Sequence, residues 1–149
     1  MDSVAPLGAF DYVAFGGALL FLLLETIADE QQMFFHTAKR KMLNEGKKLE
    51  DLPEPYNKGF NTLGLWNYSR HPNYLGEQGF WLMLYFVVIG SGMVSHGFFS
   101  YSGIGPLLLV LIFLGSSILQ ENISTQKYPE YSRYVHTVSK YIPFRRYRK

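Results

Sequence analysis

The chain has 149 residues, enough for one domain, with 48% hydrophobic residues, 17% aromatic residues and a net charge of +2. That charge is too small to recruit nucleic acid, and no basic stripe with interleaved aromatics runs through the sequence. Cysteine is absent, which excludes disulfides and thiolate chemistry.

A mean hydropathy near zero hides strong segregation. Charges crowd into residues 29–58 and 121–149, and the intervals between are nearly free of them. This is the pattern of a polytopic membrane protein with polar loops. The expected fold is all-α: a transmembrane helical bundle of about three spans with additional cytosolic or interfacial helices, in a single membrane domain over residues 1–149. A span needs roughly 17–25 apolar residues. The first candidate is APLGAFDYVAFGGALLFLLLETIAD, interrupted only by Asp11 and Glu25. It lacks the basic start and small-residue cleavage site of a signal peptide.

The polar stretch DEQQMFFHTAKRKMLNEG reads as a helix stopped at Gly46, and DLPEPYNKG, with two prolines, as a loop. The second span, LGEQGFWLMLYFVVIGSGMV, opens on Glu77. Proline suits the first helical turn and pushes the preceding residue away from helical angles, so this helix is expected to start at Pro72 with His71 near its N-cap. Arg70 and His71 then stand beside free backbone N–H groups at the positive end of the helix dipole, a ready site for an anion. Asn73 and Glu77 share a face four residues apart. A carboxyl inside a span is costly and usually faces a cavity or a partner, and a dry, protonated one can polarise a carbonyl or deliver a proton. Glu25, Asp29 and Glu121 lie at the inner ends of the other spans. For Glu25 and Glu121 a simple reach to interfacial water is the favoured reading.

The third span, GIGPLLLVLIFLGSSILQE, ends at Glu121. Beyond it, Tyr128, Tyr131, Tyr134, Val138 and Tyr141 recur at helical spacing, which suits an amphipathic helix lying at the membrane interface. Lys and Arg follow the first and third spans and are missing from the link around SHGFFSYSG. The positive-inside rule therefore puts both basic segments and the C-terminus in the cytosol, of an inner or cell membrane if the source is bacterial. His36, His96 and His136 are scattered singly and form no metal set. No Gly-rich phosphate loop occurs.

GLWNYSRHPNYLGE, fourteen consecutive residues, resembles the signature of the steroid 5α-reductase family in its C-terminal domain. ETIADEQQMFF and PEYSRYVHTVSKYIPF resemble flanking family segments in order and spacing, so the likeness covers roughly residues 20–145. It implies a cytosol-facing cavity for NADPH and a lipid-soluble enone. Asp29, Arg70, His71, Asn73 and Tyr74 would line the cofactor, with Glu121, Tyr131 and Tyr134 at the far wall. Glu77 would polarise the substrate carbonyl while hydride reaches the β-carbon. Related patterns occur in membrane methyltransferases, which makes S-adenosylmethionine the alternative cofactor. Family members carry further spans ahead of this region, including a tyrosine that partners the glutamate, and Tyr12 does not match it. The expectation is a fragment, an oligomer that completes the cavity from another chain, or a non-catalytic membrane subunit.

Overall fold

The computed structural model describes residues 7–91 and 101–147. Its helices are α1 (Ala9–Asn44), α2 (Pro72–Gly90), α3 (Ile104–Lys127) and the short α4 (Tyr131–Thr137). Among the described residues there is no strand, only a lone parallel bridge between Ser69 and Ser139. Most of the link SHGFFSYSG, with His96, falls outside the described residues, as do Arg148 and Lys149.

The first span and the polar helix after it are one element. The 36 residues of α1 run unbroken from Ala9, because nothing between Asp29 and Asn44 breaks helical geometry. Gly46 then takes a left-handed φ of 87°, the expected stop. Asp11 serves the other end: its carboxylate accepts the Gly8 N–H at 2.8 Å, beside the positive end of the dipole.

Two helices, α1 and α3, are long and apolar enough to cross a membrane. Only 17% and 6% of their apolar windows are buried inside the protein, so these are not the core helices of a water-soluble globule. The 19 residues of α2 lie antiparallel along α1. Their contacts descend in register, from Phe10 against Phe86, through Gly17 opposite Met83, to Asp29 bonded to Asn73. Gly76 makes the approach possible, since a Cβ there would lie 2.7 Å from the backbone nitrogen of Glu25.

At the basic end, residues 56–71 fold back over α1. The Trp66 indole donates to the Ala28 carbonyl at 3.0 Å, and the buried Lys39 ammonium donates to the Gly59 carbonyl at 2.6 Å. Phe60 anchors an aromatic core with Tyr131, Tyr134, Val138 and Tyr147. The tyrosine-rich tail therefore departs from the interfacial helix expected of it. Its helix is only seven residues long, and Tyr131 and Tyr134 point into protein. Helical spacing of tyrosines is the same whether the apolar side faces lipid or a loop folded back from elsewhere.

Candidate functional site

As expected, α2 begins at Pro72 with His71 as its N-cap. The segment before it is clamped by the C-terminal tail: Arg70 N–H donates to the Ser139 carbonyl at 2.9 Å, and His71 N–H to the Lys140 carbonyl at 3.0 Å. Tyr147 N–H reaches the Asn67 carbonyl at 2.8 Å. Backbone groups that could receive an external anion are thus partly committed.

The side chains of Arg70 and His71 also have an internal anion. His71 Nε2 lies 2.8 Å and Arg70 Nε 3.5 Å from Glu121 Oε1, while Lys140 Nζ is 3.8 Å from Glu121 Oε2. Glu121, expected to reach interfacial water, instead ties the start of α2 to α3. Arg70 Nη1 donates to the Val135 carbonyl at 3.0 Å. The His71 ring stacks on Tyr74, whose edge meets Phe113.

Beside this centre lies a cavity of about 420 Å³. It is walled by Gln32 and His36 of α1, Phe60, Asn61 and Trp66 of the folded-back segment, Asn73 and Tyr74 of α2, Gln120, Ser124 and Lys127 of α3, and Tyr128, Tyr131 and Tyr134. Arg70 and His71 complete the wall, and no carboxylate belongs to it. Buried polar atoms without a hydrogen-bond partner sit on Gln32 (Oε1), Arg70 (Nε) and Asn73 (Oδ1), three residues of this same wall. Burial pushes the Tyr131 phenol up to about 12 and Tyr134 well above the usual tyrosine range, so both are neutral donors.

A second, apolar cleft of about 510 Å³ opens between α2 and α3, lined by Trp81, Leu84, Tyr85, Val88, Gly105, Pro106 and Leu109. Glu77 stands between the two spaces. On one α2 face, Asn73, Glu77 and Trp81 follow at four-residue steps. Asn73 walls the polar cavity and donates to Asp29 Oδ1 at 3.0 Å, while Trp81 walls the apolar cleft and donates from its indole to Glu77 Oε1 at 2.8 Å. Across the helix pair, Glu25 packs against Gly76, the residue before Glu77.

A family model described as "Protein of unknown function (DUF1295)" matches residues 1–138. The chain belongs to the DUF1295 family. It is similar to uncharacterized protein C594.04c of Schizosaccharomyces pombe, at 35% identity over 141 residues, covering 91% of this chain and 40% of that protein. The DUF1295 chain thus spans well under half the length of that relative. No solved structure matches it significantly.

Of the site residues expected from the sequence, Arg70, His71, Asn73, Tyr74, Tyr131 and Tyr134 line the polar cavity of the DUF1295 chain. Asp29 and Glu121 stand behind that wall, held by Asn73 and by Arg70, His71 and Lys140 respectively. Glu77 lines neither space; it sits one turn from Asn73 of the polar cavity and one turn from Trp81 of the apolar cleft, whose indole donates to it. Gln32, His36, Gln120, Ser124 and Lys127 are additions. Their signal was the polar face that α1 and α3 retain past their apolar stretches: Gln32 and His36 on one, and Gln120, Ser124 and Lys127 on the other.

Proposed function

We propose that this DUF1295 chain is an integral membrane reductase that uses NADPH to saturate an activated carbon–carbon double bond in a lipid enone. The reading takes α2 as a third crossing and the basic end as cytosolic, in keeping with the placement of Lys and Arg. The observation that carries it is the stripe Asn73–Glu77–Trp81, which sets a carboxyl between a polar, cation-lined cavity and an apolar cleft. A water-soluble cofactor and a lipid-soluble substrate need two such spaces meeting at one acid.

The polar cavity suits a phosphate-bearing aromatic cofactor. Its wall holds Arg70, His71 and Lys127 without a carboxylate, aromatic rings for stacking, and the unpartnered polar atoms of Gln32 and Asn73. Lys127, exposed and free of an ion-pair partner among the described residues, is better placed for a phosphate than Arg70, which already faces Glu121. NADPH, when bound, supplies the hydride that adds to the β-carbon of the enone.

Glu77 does the proton work, with Glu25 packed beside it against Gly76. With the Trp81 N–H fixing its Oε1, Glu77 is aimed at the mouth of the cleft. Its proton goes to the carbonyl oxygen as hydride adds, which gives an enol. The enol returns that proton to Glu77 and takes one from water at the α-carbon, leaving the saturated ketone.

The alternative is an S-adenosylmethionine-dependent methyltransferase, favoured by one observation: the tyrosine-rich wall would suit a sulfonium cation. Purified protein with NADPH and a lipid enone decides between them. Consumption of NADPH with loss of the double bond is expected, together with a drop of about 10²-fold in turnover for Glu77→Gln at cofactor affinity within severalfold of wild type. Lys127→Glu should weaken NADPH binding by about tenfold, the effect of roughly 1.4 kcal/mol. Thermal stabilisation by S-adenosylmethionine and not by NADPH would overturn the reductase reading.

A further inference from the structure

The cleft between α2 and α3 is concave, about 510 Å³ in volume, and walled without a single charged side chain. Trp81, Leu84 and Val88 face it from consecutive turns of α2, roughly 10 Å along the axis at 1.5 Å per residue. Pro106 and Leu109 face it from α3. At Gly105 a Cβ would meet nothing within 4 Å, so α3 leaves space where most residues would fill it. The Trp81 N–H is already committed to Glu77 and marks the polar end of the cleft; from there the walls are apolar.

From this geometry we infer that the cleft holds the hydrocarbon chain of a lipid, acyl or isoprenoid, with the lipid's carbonyl head at Glu77 and its tail running toward Val88. The inference rests on the membrane-reductase reading and narrows its substrate to chain-bearing lipid carbonyls. Hydrocarbon is the occupant the surroundings supply. On α3 the residues flanking the cleft, Leu107, Leu108, Leu111 and Ile112, are exposed and apolar, so the medium at this depth is lipid. An extended peptide would bring a row of backbone N–H and C=O groups against walls whose polar groups are limited to Tyr85 and the committed Trp81 indole, at several kcal/mol for each group left unpaired in hydrocarbon. A chain of methylenes has no such groups, and its head meets the one acid at the end of the cleft.

The probe is a long-chain methyl ketone carrying a mid-chain diazirine, photolysed with the full chain in detergent and no cofactor, then mapped by peptide mass spectrometry. Saturable labelling is expected on the Trp81–Val88 and Pro106–Leu109 stretches, competed by the unlabelled ketone. Gly105→Phe, which projects a ring into the open space, should remove most of it. The exposed face of α1 around Leu19 and Leu20 should label weakly, without saturation, and equally in both proteins. The competition in wild type stands by itself if the variant folds poorly. Labelling of the cleft no stronger than that of α1, labelling without competition, labelling unchanged in folded Gly105→Phe, or cross-links joining two copies through the cleft would each overturn the assignment. Because no NADPH is present, saturable chain binding without later turnover removes the reductase reading alone. Turnover without saturable chain binding removes the chain site alone.

Discussion

His71 and Glu121 meet at 2.8 Å and join the N-cap of α2 to the last turns of α3. Neither side chain has much access to solvent, at 3% and 12% exposure, and Arg70 beside them has 10%. A carboxylate so placed holds together cations that would otherwise be buried without a counter-charge. Glu121→Gln should therefore destabilise the protein by about 3 kcal/mol, the usual scale for removing one member of a buried ion pair. Thermal denaturation in detergent reads it. An unchanged midpoint would mean that water reaches the cluster freely.

Two glycines, on α2 and α3, should respond in opposite ways to alanine. Gly76→Ala sets a methyl 2.7 Å from the Glu25 backbone and forces α1 and α2 apart, a cost of about 1–3 kcal/mol for overpacking. Gly115→Ala meets nothing within 4 Å and gains helix propensity, so stability should hold or rise by about 0.5–1 kcal/mol. Equal effects in the same melting experiment would contradict the close α1–α2 approach.

Topology can be read with single cysteines, because the natural chain has none. Cysteines at Lys47 and at Tyr101, which bracket α2 in the chain, should label from opposite faces of a sealed vesicle. Labelling from one face would show that α2 does not cross.

Alkaline pH should expose the buried tyrosines. In the unfolded chain their phenols ionise near pH 10, while burial holds Tyr131 to about 12 and Tyr134 higher still. Both folded values are raised, so the stabilisation is complete below pH 10. It falls as pH climbs toward the folded values, by up to about 1.4 kcal/mol per pH unit for each tyrosine. Denaturation curves collected between pH 8 and pH 12 (a range of about two units on either side of the unfolded phenol value) should show a downturn beginning near 10, shallower in Tyr131→Phe.

Local rules were enough for the start of α2 and the end of α1. Pro72 constrains its own φ and its predecessor, and Gly46 takes an angle that other residues avoid; neither depends on a distant partner. The apolar lengths of α1 and α3 were legible for the same reason. The role of Glu121 was not, because a carboxyl at the end of an apolar helix looks the same in sequence whether it meets water or Arg70 and His71 some fifty residues upstream and Lys140 nineteen downstream. The tyrosines of α4 hid their partner likewise: Phe60 lies in a proline-bounded loop that carries no pattern of its own. His36 and Lys127 came together only because the first span continues as one helix into the polar region.

That continuity makes α1 a stiff rod. At 36 residues it is about 54 Å long, against a hydrocarbon slab of roughly 30 Å. Its apolar portion settles to bilayer thickness by tilting, and its polar portion has no hinge with which to ignore the tilt. Gln32 and His36 ride on the projecting arm, so thinning or thickening the bilayer swings one wall of the polar cavity while residues 56–71, clamped by the tail, resist. In the proposed topology lipid thickness would bear on the polar cavity, and reconstitution into short- and long-chain lipids would vary it without altering a single residue.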